Sequence, residues 1–464
     1  MSTKPDYSLY KPLKSDDPED VLFNSLYGLR TIQLNRPRKL NALNGSMIRK
    51  ITPRLLEWAK SDMASVVAIK GAGDKAFCAG GDVAELAKWN KDGEKGQQKS
   101  IDYFALEYQL DHLIATYEKP YVAIMDGITM GGGVGLSMHA PLRIATERTV
   151  FAMPETTIGF FPDVGGSFFL PRLPGAVGTY LALTSERLKG VNVFYSGLAT
   201  HYLHSSSLPA LESRLAELQF PDTMDFHTRL KVVDDTIEEY ATGLPHNEPI
   251  LLAGELRKAI DRCFSFDAVD DIVAALKQEQ GIAKQWAEHT LNTLRQRSPT
   301  SVHVTLRQMR LGRNWSIQQT FEREHQIASV FMKTHDFTEG VTAKLIEKRD
   351  PKWKPETLDD ILPQDKITDP YFKSAKNLSE IKLLERENNY KQYPYAAELG
   401  LPSEGLVEEV VRQGIYKSRD DIVGHFLQKT SGKQGVREVV SEILARKTTV
   451  AGQGLEWIYE EVQQ

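Results

Sequence analysis

Two carboxylates stand in surroundings where carboxylates are costly. Glu155 and Asp163 lie in Met153-Pro154-Glu155-Thr156-Thr157-Ile158-Gly159-Phe160-Phe161-Pro162-Asp163-Val164-Gly165-Gly166, a stretch dominated by apolar residues, glycine and proline. A carboxylate there is either paired structurally or has its proton affinity shifted for work. Two further stretches are rich in glycine: Ala76-Phe77-Cys78-Ala79-Gly80-Gly81-Asp82 and Asp126-Gly127-Ile128-Thr129-Met130-Gly131-Gly132-Gly133-Val134-Gly135. Each follows a strand pattern and precedes a helix pattern. Glycines there let the backbone approach a ligand and expose N–H groups at a helix N-terminus. Two such groups, one from each turn, would make an oxyanion hole, each donor worth ~3 kcal/mol of transition-state stabilisation. Two carboxylates beside it would suit acyl transfer, one attacking or activating water and the other orienting. Tight turns without a ligand and a structural carboxylate pair are the competing readings, and residue types alone leave them open.

Other chemistries fit less well. A dinucleotide fingerprint starting at Gly131 would need glycine where Leu136 stands, and neither a phosphate-binding G-x-x-x-x-G-K-[ST] loop nor H-E-x-x-H occurs. His201 and His204 have no Asp, Glu or Cys close in sequence to complete a ligand set, so no metal is expected. Cys78 has no sequence-level partner base and reads as small-residue packing. Two cysteines cannot build a disulfide framework and point to a reducing compartment. The 464 residues carry a net charge of −5, without a generally basic field for nucleic acid. No run of eighteen apolar residues suggests a membrane span, and the N-terminal residues lack the pattern of a secretory signal or a transit peptide.

The elements that must position these residues alternate. Leu29 to Leu34, Val66 to Ile69, Tyr121 to Ile124, Leu142 to Ala145 and Val150 to Met153 read as strands, several buried on both faces. Met47, Ile51, Leu55 and Trp58 mark a helix after Ser46, which Pro53 should kink or break early. Leu106, Leu110 and Leu113 mark another. Strands alternating with helices imply an α/β fold. From about 210 the windows turn helical. The organisation expected is an N-terminal extension (1–25), a core carrying the site (26–210), a helical part of the same unit (211–355) and a C-terminal extension (356–464) with three short amphipathic helices. That extension is too small to hold a large core alone and should dock on the body or on a partner.

The three glycine- and carboxylate-bearing stretches closely resemble the crotonase (enoyl-CoA hydratase/isomerase) superfamily, most of all its 3-hydroxyisobutyryl-CoA hydrolase branch. Leu34-Asn35-Arg36-Pro37, Leu40-Asn41-Ala42-Leu43-Asn44, Ala199-Thr200-His201, Asp336 to Val341 and Pro351-Lys352-Trp353-Lys354-Pro355 match it too. The resemblance spans roughly 25 to 360. It implies a spiral of ββα turns, C-terminal helices that commonly build a trimer, and an acyl-CoA substrate with no separate cofactor. It further implies an oxyanion hole from the N–H groups of Gly81 and Gly132, Glu155 as the catalytic glutamate and Asp163 as the branch's orienting aspartate. Glu107 would contact substrate, and Arg38, Lys39 and Ala42 would lie near the CoA nucleotide. Hydratases of the superfamily use a second glutamate where this chain has Gly135, which favours thioester hydrolysis, as in valine catabolism, over hydration.

The chain runs 109 residues past Pro355, where relatives usually stop. Tailed relatives in fungi resemble a protein of the mitochondrial small ribosomal subunit. This implies a mitochondrial location and, as a second role, attachment to ribosomal proteins through the tail. From Lys376 onward the tail has 12 basic against 14 acidic residues, so protein contacts are expected more than RNA contacts. Deleting it after about residue 375 is expected to spare turnover.

Overall fold

The computed structural model describes residues 7–360, 364–373, 381–385, 387–451 and 454–458. The terminal residues read above for targeting signals, and the deletion point near 375, lie outside them.

Strands come in pairs, and after the first pair each is split between two sheets. β1 (Val21–Leu26) and β2 (Leu29–Leu34) form an antiparallel hairpin. Then β3 (Val66–Gly71) and β4 (Ala76–Cys78), β5 (Tyr121–Met125) and β6 (Ile128–Met130), β7 (Leu142–Ala145) and β8 (Val150–Ala152), and finally β9 (Leu188–Lys189) and β10 (His201–Tyr202) follow. The larger sheet has the order β1-β2-β3-β5-β7-β10 and the smaller β4-β6-β8-β9. Apart from the first hairpin and the β8/β9 pair, neighbours run parallel, so helices must carry each crossover. The result is the crotonase spiral of ββα turns that the motifs led one to expect.

The central strands are buried on both faces, and their residues alternate between two cores. Val67, Ile69, Tyr121, Ala123 and Met125 enter the main core. Val66, Ala68, Val122, Ile124, Leu142 and Ile144 meet Leu211, Leu215, Val233 and Ile237 of helices Leu208–Ala216 and Phe226–Glu238 on the other side.

Four expectations need correction. The N-terminal extension does not end at 25, because Val21–Leu26 is an edge strand. Only Val21 of it is buried, which left its alternation too weak to read. Asp16 and Asp20 pair with Arg49 and Lys50 and fasten this segment to the first helix. That helix, Gly45–Ala59, is capped by Asn44, not Ser46, and runs through Pro53. Burial of Ile51, Leu55 and Trp58 outweighs the ~3 kcal/mol penalty of an interior proline. The unit that carries the glycine turns does not stop at 355 either: Tyr371, Ile381 and Leu383 belong to the main core.

The tail docks on the body. Helices Glu404–Arg412, Arg419–Lys429 and Val436–Lys447 share a small core built on Val407, Ile422, Phe426, Val440 and Leu444. Ser418 and Asp421 form a capping box at the start of Arg419–Lys429. Buried Lys433 bonds to His201 and Asp234 of the body, and Glu404 is shared by Arg257 and Arg446. Upstream, residues 381–385 and 387–395 strap across the body: Gln109 Nε2 donates to the Lys382 carbonyl (2.7 Å), and the N–H of Ile317 donates to the Tyr390 carbonyl (2.9 Å). Among the described residues no helix is long and apolar enough to cross a membrane.

Candidate active site

The glycine turns sit side by side because β4 and β6 are parallel neighbours that both end there. Leu43 pairs with Gly81 as an isolated parallel bridge: the N–H of Leu43 donates to the Gly80 carbonyl and the N–H of Asp82 donates to the Leu43 carbonyl, each 2.8 Å. This bridge uses the groups of residues 80 and 82, so the N–H of Gly81 points the opposite way. Gly132 opens the helix Gly132–Met138, whose first N–H groups have no intrahelical acceptor. A Cβ on Gly132 would lie 3.3 Å from the nitrogen of Gly81 and 2.5 Å from Glu107 Oε1. A Cβ on Gly131 would lie 3.0 Å from Glu155 Oε1. Two glycine turns, Glu107 and Glu155 therefore face one small space.

Glu155 starts the short 3₁₀ turn Glu155–Ile158 and is 5% exposed, and its Oε2 has no hydrogen-bond partner among the described residues. Asp163, also 5% exposed, accepts a 2.7 Å bond from the Tyr108 hydroxyl. Glu107 and Asp111 project from helix Glu94–Ala115 one turn apart. Burial pushes the carboxyls of Glu107, Asp111 and Glu155 well above the usual range, and mutual repulsion within the cluster adds to this. Burial moves Asp163 up to about 7, against the opposing bond from Tyr108. So many buried carboxyls cannot all ionise at neutral pH, and the cluster retains protons.

Behind Asp163 the turn is strained and clamped. Val164 has φ 51°, a left-handed backbone for a β-branched residue that costs on the order of 1–3 kcal/mol. Its carbonyl faces His139 Nε2 at 2.8 Å, and the N–H of Gly165 donates to Glu324 Oε2 at 2.7 Å. Glu324 also accepts from the N–H and hydroxyl of Ser167. Burial still lifts it to about 8.

Sequence reading named Glu107, Glu155, Asp163, Gly81 and Gly132, and the structure brings all five together. It missed Tyr108, Asp111 and Glu324. The four-residue spacing of Glu107 and Asp111 beside apolar Tyr103, Phe104 and Leu110 was the available signal for one of them. Gly135 gains a second meaning: a Cβ there would lie 2.7 Å from Asp111 Oδ2 and 2.8 Å from Val164 Cβ, so no side chain fits. Neither Asp111 oxygen has a hydrogen-bond partner among the described residues. Asp111→Asn should therefore raise the thermal midpoint at pH 8 by about 1–2 °C and change it less at pH 5. The sign follows from a folded-state pKa above the unfolded one: stability is lost as pH rises from the unfolded value, and Asn removes that loss. A melting series across pH checks it.

Arg38 and Lys39 are exposed on the turn Pro37–Lys39, and Lys39 reaches Asp82, next to Gly81, at 3.1 Å. The Ala42 carbonyl accepts from Arg36, which also bonds Asp82. Cys78 is buried with its thiol pushed up to about 12 by burial, as a packed residue. His201 sits in the tail-docking ion cluster, whereas exposed His204 faces Glu147. A cavity of about 540 Å³ lies behind the carboxylate cluster, between body and tail, lined by Met138, His139, Arg143, Tyr393 and Leu401. None of the four clustered carboxylates lines it.

Comparison with known proteins gives concordant results. Residues 29–372 match the family model described as enoyl-CoA hydratase/isomerase. The small ribosomal subunit protein mS47 of Neurospora crassa is 61% identical over 454 residues, covering 96% of this chain and 89% of that protein. The mitochondrial 3-hydroxyisobutyryl-CoA hydrolase of Gallus gallus is 43% identical over 372 residues, covering 80% of this chain and 92% of that enzyme. Among solved structures, a carnitinyl-CoA dehydratase from Mycobacterium thermoresistibile superposes with a TM-score of 0.68 at 34% identity, over 80% of this chain and 100% of that one.

Proposed function

This chain belongs to the enoyl-CoA hydratase/isomerase family, and on that premise we propose that it hydrolyses a short hydroxyacyl-CoA thioester, 3-hydroxyisobutyryl-CoA, in the mitochondrion. The observation that carries the reading is the convergence of Gly81, Gly132 and Glu155 on one buried space. The thioester oxygen would sit between the N–H groups of Gly81 and Gly132, which stabilise the charge that builds on it. Glu155 either attacks the carbonyl carbon, giving a mixed anhydride that water then cleaves, or takes a proton from the attacking water. In both, the C–S bond breaks and the CoA sulfur leaves as a thiolate that picks up a proton. Asp163, held by Tyr108, and Glu107 would orient the substrate hydroxyl or the water. Arg38, Lys39 and Ala42 would border the CoA nucleotide, and CoA is the only cofactor-like group required.

Hydrolysis is favoured over hydration by the crowding at residue 135. The volume that a second glutamate side chain would need is already taken by the Asp111 carboxyl and the Val164 side chain. Purified chain given 3-hydroxyisobutyryl-CoA should release thiol. Absence of release from this and from several other short hydroxyacyl-CoA esters would overturn the reading.

A second role has its own support: similarity to the N. crassa ribosomal protein runs through the tail, covering 96% of this chain. We propose that the chain also joins the mitochondrial small ribosomal subunit, through protein contacts of the tail. It should co-sediment with that subunit in a mitochondrial lysate, and a full-length chain that never does so excludes the role. The two functions are compatible in one protein.

A further inference from the structure

The tail reaches the proposed catalytic turn through one imidazole. Tyr393, on the strap segment 387–395, has its hydroxyl 3.0 Å from His139 Nδ1. On the other side of the ring, Nε2 lies 2.8 Å from the carbonyl oxygen of Val164. A carbonyl can only accept, so Nε2 carries the proton and donates, and Nδ1 must accept from the Tyr393 hydroxyl. His139 is 3% exposed, and burial holds its pKa down to about 4, so the ring stays neutral and this single tautomer persists.

The bond that His139 makes falls on a decisive peptide unit. The carbonyl of Val164 and the N–H of Gly165 belong to the same peptide plane. His139 holds the first and Glu324 holds the second. That plane fixes the left-handed conformation of Val164 and, one residue upstream, the direction of Asp163 toward Tyr108. Without the Tyr393 hydroxyl, the proton is free to move to Nδ1. Nε2 would then present a lone pair to the Val164 carbonyl, and one end of the clamp would open.

We propose that Tyr393 of the C-terminal tail is a positioning residue for Asp163, acting through His139 and the Val164–Gly165 peptide. The tail is then part of the hydrolase and not only an attachment device. This revises the expectation that removing it would spare turnover. The inference rests on the hydrolase reading for its kinetic consequence, but not for its structural one.

The neighbouring tyrosine supplies the control. Tyr390 lies on the same strap, packs its ring on Phe168 as Tyr393 does (centroids 5.6 and 4.9 Å), and spends its hydroxyl on the Ala115 carbonyl, away from His139. Tyr393→Phe in the full chain should lower kcat about tenfold with KM within twofold, the scale of one buried hydrogen bond lost. It should also speed amide hydrogen exchange in residues 163–168. Tyr390→Phe should leave kcat and exchange in 163–168 at the wild-type values. A Tyr393→Phe protein with both unchanged overturns the proposal, as does an equal effect of both variants on kcat. If the wild type itself releases no thiol, the hydrolase reading fails separately and the exchange comparison alone decides the clamp: unchanged exchange in Tyr393→Phe overturns it, and faster exchange than in Tyr390→Phe supports it.

Discussion

Glu155→Gln is expected to lower thioester hydrolysis by about 10³- to 10⁴-fold in kcat while the chain stays folded. The substitution keeps the shape of the side chain and removes either the nucleophile or the base. Asp163 is engaged by Tyr108, and Glu107 reaches the space from the helix opposite, beside Gly132. Stability should move the other way. Burial, then repulsion from Asp163, raises the folded-state pKa of Glu155, so wild-type stability falls as pH climbs above the unfolded-state value near 4.3. Glutamine cannot ionise and escapes that loss. Thiol release and thermal melting on the same preparation test both halves. A loss of less than tenfold would remove Glu155 from the chemistry, and a large drop in melting temperature would mean the carboxylate is a structural partner.

The legibility of this molecule in its sequence follows the range of the interactions involved. Leu29–Leu34 and Leu142–Ala145 were readable to the residue because short segments that interleave aliphatic and polar residues report local structure directly. The Val21–Leu26 strand was not, because an edge strand with one buried residue leaves no alternation to see. The same division holds at the site. The glycines and the Glu155/Asp163 pair stand out because their types clash with their neighbours. Glu324 does not: it sits 161 positions after Asp163 on a helix rich in polar residues, and only the fold shows it reaching Gly165 and Ser167. Tyr393 is more hidden still, since a tyrosine in a polar, proline-containing segment gives no sign of an imidazole 254 residues away. Chemistry announced itself through composition, whereas the parts that hold it in place are set by contacts between distant segments.

Gly132→Ala should cut kcat by about 10²- to 10³-fold, the cost of one oxyanion-hole donor, with little loss of stability. The methyl group would stand 3.3 Å from the nitrogen of Gly81 and 2.5 Å from Glu107 Oε1. It would therefore occupy the gap that the thioester oxygen must enter, and it would push Glu107 aside. The backbone itself has no objection to the change. Residue 132 is the first of its helix and has no positive φ, and alanine favours helix over glycine by about 1 kcal/mol. The strain of moving one flexible carboxylate offsets part of that gain. Activity and stability should thus separate, which distinguishes a blocked hole from a damaged fold. Gly424→Ala, in the tail helix Arg419–Lys429 where an added Cβ meets nothing within 4 Å, supplies the comparison: full activity and equal or higher stability. If Gly132→Ala retains turnover within threefold of wild type, the space between the two turns does not hold the reacting carbonyl, and an oxyanion hole must be sought elsewhere in the molecule.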